Sequence, residues 1–196
     1  MKKQKRGTRG SPSGRLRIVA GKWRSRLLPV ANEPGLRPTA ERVRETLFNW
    51  LAPVIEGARC LDLFAGTGAL GLEALSRGAS AVTFIEKAKT AVAGLNASIR
   101  ELPADGATVK QADALTWLAT AEPELFDIVF LDPPFAAVHY EELCRLLAER
   151  AWLAPGAHVY LEQSRDRPVP QLPDGWELSK EKTTGNVRYS LIKTAN

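Results

Sequence analysis

The chain is poor in the residues that mark metalloproteins, disulfide-stapled domains and membrane proteins. Its 196 residues hold two cysteines and two histidines. No apolar run approaches the roughly 20 residues of a membrane-crossing helix. Cys60 and Cys144 are far apart and sit among apolar neighbours, which reads as two reduced core thiols. His139 and His158 belong to no Cys, Asp or Glu cluster with metal-ligand spacing, so no metal is expected. The basic N-terminus has no apolar stretch behind it and does not read as a secretory signal. The expectation is a cytoplasmic monomer without a membrane partner.

What is present is uneven. The chain is 44% hydrophobic and 25% charged, which suits one compact domain, and its net charge is +5. Residues 1–46 alone carry +10 and the remainder carries −5. A basic arm on an acidic body points to a polyanionic partner whose backbone the arm would contact. Residues 1–14 are rich in Lys, Arg, Gly and Ser and read as a basic, disordered tail. Residues 15–36 read as an extension in which Leu16 to Leu28 forms two short strands around a Gly-Lys turn, with one cationic face. Arg17, Lys22, Arg24 and Arg26 lie on that face, with Arg37 and Arg42 following.

Residues 37–196 read as the main domain. A helix over about 40–51 carries Val43, Leu47, Trp50 and Leu51 as its apolar stripe. From Arg59 on, strands and helices alternate. Strands are expected at 60–64, 81–85, 107–111, 126–131 and 158–162, with helices at 70–77, 88–102, 114–121 and 140–150. Two last strands, 176–182 and 187–193, are joined through Thr184-Gly185-Asn186 as an antiparallel hairpin. Alternation of this kind implies an α/β fold with a parallel, doubly wound sheet.

Three strand ends carry the chemistry. Asp62-Leu63-Phe64-Ala65-Gly66-Thr67-Gly68 follows the first strand of the alternation and opens a helix. Glycines there let the backbone turn tightly and let a ligand approach the main chain. Glu86 ends the next strand, where an acid can hold both ribose hydroxyls of a nucleoside, and Asp113 ends the third, placed to meet an adenine edge. These features alone also suit a nicotinamide-dependent oxidoreductase. The fourth strand ends in Asp132-Pro133-Pro134-Phe135. The prolines cannot extend the sheet, so the Asp132 carboxylate and Pro133 carbonyl become preset acceptors for an amino group, with Phe135 as a stacking face.

The glycine segment together with Asp-Pro-Pro-Phe resembles class I S-adenosylmethionine methyltransferases that act on amino groups. Leu16-Arg17-Ile18-Val19-Ala20-Gly21, Arg37-Pro38-Thr39 and the run Arg42 to Leu51 make residues 15–193 similar to the RsmD family, bacterial 16S rRNA guanine-N2 methyltransferases. The resemblance implies a Rossmann-like seven-stranded sheet with the last hairpin antiparallel, and a small N-terminal β-hairpin that helps hold RNA. It implies S-adenosylmethionine as cofactor, held by Gly66, Gly68, Glu86 and Asp113, with Asp62, Phe64, Ala65, Lys87, Ala114 and Thr39 completing that set. Asp132, Pro133 and Phe135 would hold the target guanine. The partner would be 16S rRNA in the 30S subunit or its assembly intermediate. The Asp-Pro-Pro-Phe motif by itself does not select guanine over adenine or cytosine. A DNA adenine or other amino-methyltransferase and a non-catalytic RNA-binding protein of the same fold are the alternatives.

Overall fold

A computed structural model describes residues 14–30, 40–134 and 139–195. The tail expected over 1–14 therefore lies outside the described residues, except for Gly14, as do Arg37, Thr39 and Phe135.

The main sheet has seven strands: β3 (Arg59–Asp62), β4 (Ala81–Glu86), β5 (Ala107–Gln111), β6 (Phe126–Leu131), β7 (Leu153–Ser164), β8 (Glu177–Thr184) and β9 (Val187–Lys193). Their order is β5-β4-β3-β6-β7-β9-β8. The first five are parallel, whereas β9 runs antiparallel to both β7 and β8. The helices are α1 (Glu41–Leu51), α2 (Ala69–Ser76), α3 (Lys89–Glu101), α4 (Ala114–Thr120) and α5 (Tyr140–Glu149).

Successive strand residues face opposite sides, and both sides are covered. Cys60, Phe84, Ile128, Phe130, Tyr160 and Tyr189 pack with α1, α2 and Leu95 of α3. Leu61, Ile85, Val129, Leu131, Val159 and Ile192 pack with α4 and α5. The nearly unbroken apolar run of β6 follows from this double burial. Cys60 and Cys144 are both buried free thiols, one in each of these layers.

The N-terminal extension departs from a simple hairpin. β1 (Arg15–Arg17) and β2 (Leu27–Pro29) pair antiparallel over three residues each. The segment between them is docked on the end of α2 instead of projecting. The Lys22 amide donates to the Ser76 carbonyl at 2.7 Å, and the Trp23 amide donates to Ser76 Oγ at 3.0 Å. Gly21, at φ +80°, lies so close that a Cβ would fall 1.8 Å from the Ser76 carbonyl oxygen. Leu16, Ile18, Leu28 and Val30 are buried with the α1–α3 layer. The extension thus shares the core of the sheet.

Two other elements differ from expectation. β7 begins at Leu153, earlier than the apolar run suggests, because Leu153 still pairs with Phe126 before the register shifts and His158 meets Ile128. In α1, Arg44 joins the buried face beside Val43, Leu47, Phe48 and Leu51. It is 1% exposed, its Nη1 lies 3.3 Å from Glu73 Oε2, and its Nη2 donates to the Arg17 carbonyl at 2.9 Å. Trp50 is half-buried and stacks on Tyr189 with centroids 5.5 Å apart.

Candidate active site

The sheet reverses direction between β3 and β6. From β3 the chain builds outward through β4 and β5, then returns to lay β6 on the other side. Loops leaving the two central strands diverge there and open a crevice at the carboxyl ends, where open α/β sheets bind ligands. Asp62 closes β3 and Asp132 follows β6, so the glycine loop and the Asp-Pro-Pro turn flank the same crevice.

The loop is braced from inside. The Asp62 carboxylate is buried and its Oδ2 accepts the Gly71 amide at 3.1 Å. Burial pushes this carboxyl up to about 7; the Gly71 and Phe64 amides oppose that rise, and the Asp132 and Glu86 charges add to it. Asp62 thus ties the loop to α2 from beneath. The Ala65 amide donates to the Ile85 carbonyl of β4 at 3.0 Å. Ala65 is buried, while Phe64, Gly66 and Thr67 are half-exposed at the crevice. Gly68, at φ +78°, begins α2, and a Cβ there would stand 2.4 Å from Leu95 Cδ1 of α3. Its glycine is demanded by the backbone and by helix packing as well as by any ligand.

Glu86 is the last residue of β4 and clasps the loop. Its Oε2 accepts the Gly66 amide at 2.8 Å and its Oε1 accepts the Ala88 amide at 2.7 Å. Each carboxylate oxygen has a further lone pair for a ligand hydroxyl. Asp113 caps α4, accepting from the Thr116 amide and hydroxyl at 3.2 Å each. Lys87 Nζ lies 3.3 Å from its other oxygen. The Thr116 amide, then the Lys87 and Thr116 side chains, hold the Asp113 carboxyl below its usual range against desolvation. Lys87 is exposed, and Ala114 is buried beneath the α4 start.

At the second lip, Asp132 is half-buried, Pro133 buried and Pro134 exposed. One neighbour was not anticipated from sequence. Glu162, near the end of β7, is 6% exposed, and its Oε2 accepts the Tyr160 hydroxyl at 2.7 Å. The available signal was an acid ending an apolar strand at the same rim, the logic that singled out Glu86.

The basic residues separate into two kinds. Arg17, Lys22, Arg24, Arg26 and Arg42 are exposed. Arg17 lies 3.6 Å from Glu41 and Arg26 lies 3.5 Å from Glu101, both as solvated pairs of the kind that contribute little. Lys22 Nζ sits 4.2 Å from the centroid of the Trp23 ring. Arg44, by contrast, is consumed inside the protein by Glu73. Among the described residues no group of three His, Cys, Asp or Glu is placed to hold a metal ion. Nor is any described helix long and apolar enough to cross a membrane.

A reversing parallel sheet with this clasped loop facing an Asp-Pro-Pro turn defines the class: the protein is a class I methyltransferase. The family described as conserved hypothetical protein 95 matches residues 16–193. A ribosomal RNA small subunit methyltransferase D from Escherichia coli strain K12 is 49% identical over 183 residues, covering 93% of this chain and 92% of the relative. A protein of the same name from Haemophilus influenzae is 49% identical over 183 residues, covering 92% and 94%. The solved structure of Escherichia coli yhhF superposes with a TM-score of 0.87 at 44% identity, over 93% of this chain and 99% of that one. The chain belongs to the RsmD family of ribosomal RNA small subunit methyltransferases.

Proposed function

We propose that the protein transfers a methyl group from S-adenosylmethionine to the exocyclic N2 amine of one guanine in 16S rRNA. The substrate would be the 30S subunit or its assembly intermediate, and the enzyme a cytoplasmic monomer. The observation that carries this reading is Asp132-Pro133 at the switch point, facing a glycine loop held by Glu86, in a chain whose relatives are named small-subunit rRNA methyltransferases.

The residues present fit the cofactor. The half-exposed Gly66-Thr67 turn offers backbone without bulk, and the Glu86 carboxylate retains acceptor capacity for two ribose hydroxyls. Asp113 and Ala114 would flank the adenine, with Phe64, Ala65, Lys87 and Thr39 completing the surround. When bound, the cofactor supplies an electrophilic methyl on a positively charged sulfur.

The task of the chain is then to prepare the amine. Its lone pair is delocalised into the base and is a poor nucleophile. The Asp132 carboxylate and the Pro133 carbonyl would each accept one N–H, favouring a pyramidal nitrogen and stabilising positive charge as it develops there. Asp132 would also take up the proton the nitrogen gives up. Phe135 would stack on the base after it leaves its helix. The cationic extension bearing Arg17, Lys22, Arg24 and Arg26, with Arg37 and Arg42, would grip phosphates.

The test is methyl transfer from radiolabelled S-adenosylmethionine to 30S subunits, naked rRNA and DNA in parallel, followed by nucleoside analysis. N2-methylguanine in 16S rRNA is expected. Label in adenine, in DNA, or in no nucleic acid would overturn the reading.

A further inference from the structure

Glu162 is a buried acid to which the proposed chemistry gives no task. β6 and β7 are parallel with Leu131 opposite Leu161, so Asp132 and Glu162 come next to each other one step further along. Tyr160 faces the α1 layer, Glu162 two positions on in β7 shares that side, and the Asp132 charge just past β6 acts on both. The two carboxylates therefore stand close together near the carboxyl ends of neighbouring strands, at one lip of the crevice. The Tyr160 hydroxyl holds Glu162 Oε2 at 2.7 Å, and the Tyr140 hydroxyl of α5 holds the Glu162 carbonyl at 2.5 Å. Tyr189 is its register partner on β9. Among the described residues, the Asp132 charge acts on this group and the Arg167 charge acts on Tyr140.

The three amino-bearing bases differ in the ring nitrogen beside the amine. The guanine amine stands between N1–H, a donor, and the bare N3, so only guanine offers a donor beside its amine. Adenine and cytosine present a bare nitrogen, an acceptor. A site whose second group accepts hydrogen bonds pairs with guanine and leaves the other two bases with acceptor against acceptor. We propose that Glu162 is the base-selecting residue: its carboxylate accepts the guanine N1–H beside the amine held by Asp132. This rests on the guanine reading above and supplies the selection that Asp-Pro-Pro-Phe alone does not provide.

Base selection by Glu162 leaves a signature in pH. Burial and then the Asp132 charge push the Glu162 carboxyl up to about 8, against the Tyr160 hydrogen bond, which lowers it. The ionised carboxylate is the stronger acceptor for N1–H, so docking of guanine favours loss of the proton. The KM for RNA should therefore fall as pH rises toward 8 and level off beyond it. A site for adenine or cytosine would use the protonated acid as a donor and show the opposite slope.

The experiment measures KM, kcat and cofactor affinity on unmethylated 30S subunits from pH 6.5 to 8.5, for wild type, Glu162→Gln and Tyr160→Phe. For wild type, KM should fall with pH by at most about tenfold per unit. Glu162→Gln keeps the shape and an acceptor for Tyr160 but cannot ionise. Its KM should be flat in pH and, at pH 8.5, about ten- to a hundredfold above wild type. Its cofactor affinity should stay close to wild type. Tyr160→Phe removes a bond favouring the ionised form, so its KM should fall over a higher pH range. Equal KM profiles in wild type and Glu162→Gln would overturn the proposal. If Glu162→Gln fails to fold, a flat wild-type profile, or one unmoved in Tyr160→Phe, overturns it equally. N2-methylguanine as product with Glu162 inert defeats this inference alone. Methylated adenine or cytosine defeats the guanine reading with it.

Discussion

The Arg44 guanidinium and the Glu73 carboxylate meet at 3.3 Å with side-chain exposures of 1% and 0%. Glu73 also accepts the Val19 and Ala20 amides at 2.8 and 3.0 Å and the Arg77 guanidinium at 2.7 Å. One carboxylate on α2 thus gathers α1, the N-terminal extension and its own helix end. Removing it leaves the buried Arg44 cation without its carboxylate and two amides without their acceptor. Glu73→Ala should cost about 3–5 kcal/mol, the range for breaking a buried pair from one side. Urea denaturation would show it, and a loss under about 1 kcal/mol, typical of surface changes, would refute the hub.

Glu86→Ala should weaken S-adenosylmethionine binding roughly ten- to a hundredfold, since each charge-assisted hydrogen bond contributes about 1.5–3 kcal/mol. Glu86 also holds the Gly66 and Ala88 amides, so Glu86→Gln should retain part of the loop geometry and lose less. Titration calorimetry on both variants checks the order. Affinity unchanged in Glu86→Ala would remove Glu86 from the cofactor site.

Asp132→Ala should leave cofactor affinity largely intact and lower the single-turnover rate on the order of 10²-fold or more, as for a deleted preorganised hydrogen-bond partner. A near-normal rate would strike Asp132 from the reacting group.

Stability should depend on pH through two buried acids. Asp62 is pushed up to about 7 and Glu162 to about 8 in the folded protein, whereas both ionise near 4 when unfolded. Between those limits the folded state binds more protons than the unfolded state, so stability falls as pH rises from about 4 and flattens above about 8. The slope is at most about 1.4 kcal/mol per pH unit for each group. Asp62→Asn and Glu162→Gln should each flatten the fall. Urea midpoints across pH 5 to 9 that stay parallel in wild type and both variants would contradict this.

Neutralising Arg17, Lys22, Arg24 and Arg26 together should weaken binding to 30S subunits and leave cofactor affinity unchanged. If all four meet phosphates, the slope of log affinity against log salt shrinks by about 3 to 4 units. Their solvated pairs with Glu41 and Glu101 are too weak to withhold Arg17 and Arg26 from RNA. Overlapping slopes would deny the extension its grip.

The alternation of strands and helices was readable because doubly covered strands are continuous apolar runs and their helices are striped. The glycine loop, Glu86, Asp113 and Asp132 stood out as candidates because each lies at or just after the carboxyl end of a strand, and such ends face the crevice. What escaped depends on partners distant in sequence. Arg44 looks like one more cation of a basic arm, and only Glu73, on another helix, makes it a core residue. The Gly21 contact needs Ser76, and nothing local to either residue announces it. The early start of β7 hides behind Pro155 and Gly156, which locally signal a break. Gly68 reads as room for a ligand, and its packing against Leu95 appears only once α3 lies against the loop.

The docking of the Gly21 turn on Ser76 bears on how such proteins can be rebuilt. An RNA-gripping arm that shared only a linker with its enzyme could be trimmed off, or exchanged with that of a relative, as an independent module. Here the arm lends Leu16, Ile18, Leu28 and Val30 to the common interior, and its tip is fastened to the helix that begins at the glycine loop. Cutting the chain before α1 would uncover that interior and strip the Glu73 carboxylate of two amides. A transplanted arm would have to travel with its counterparts of Arg44, Glu73 and Ser76.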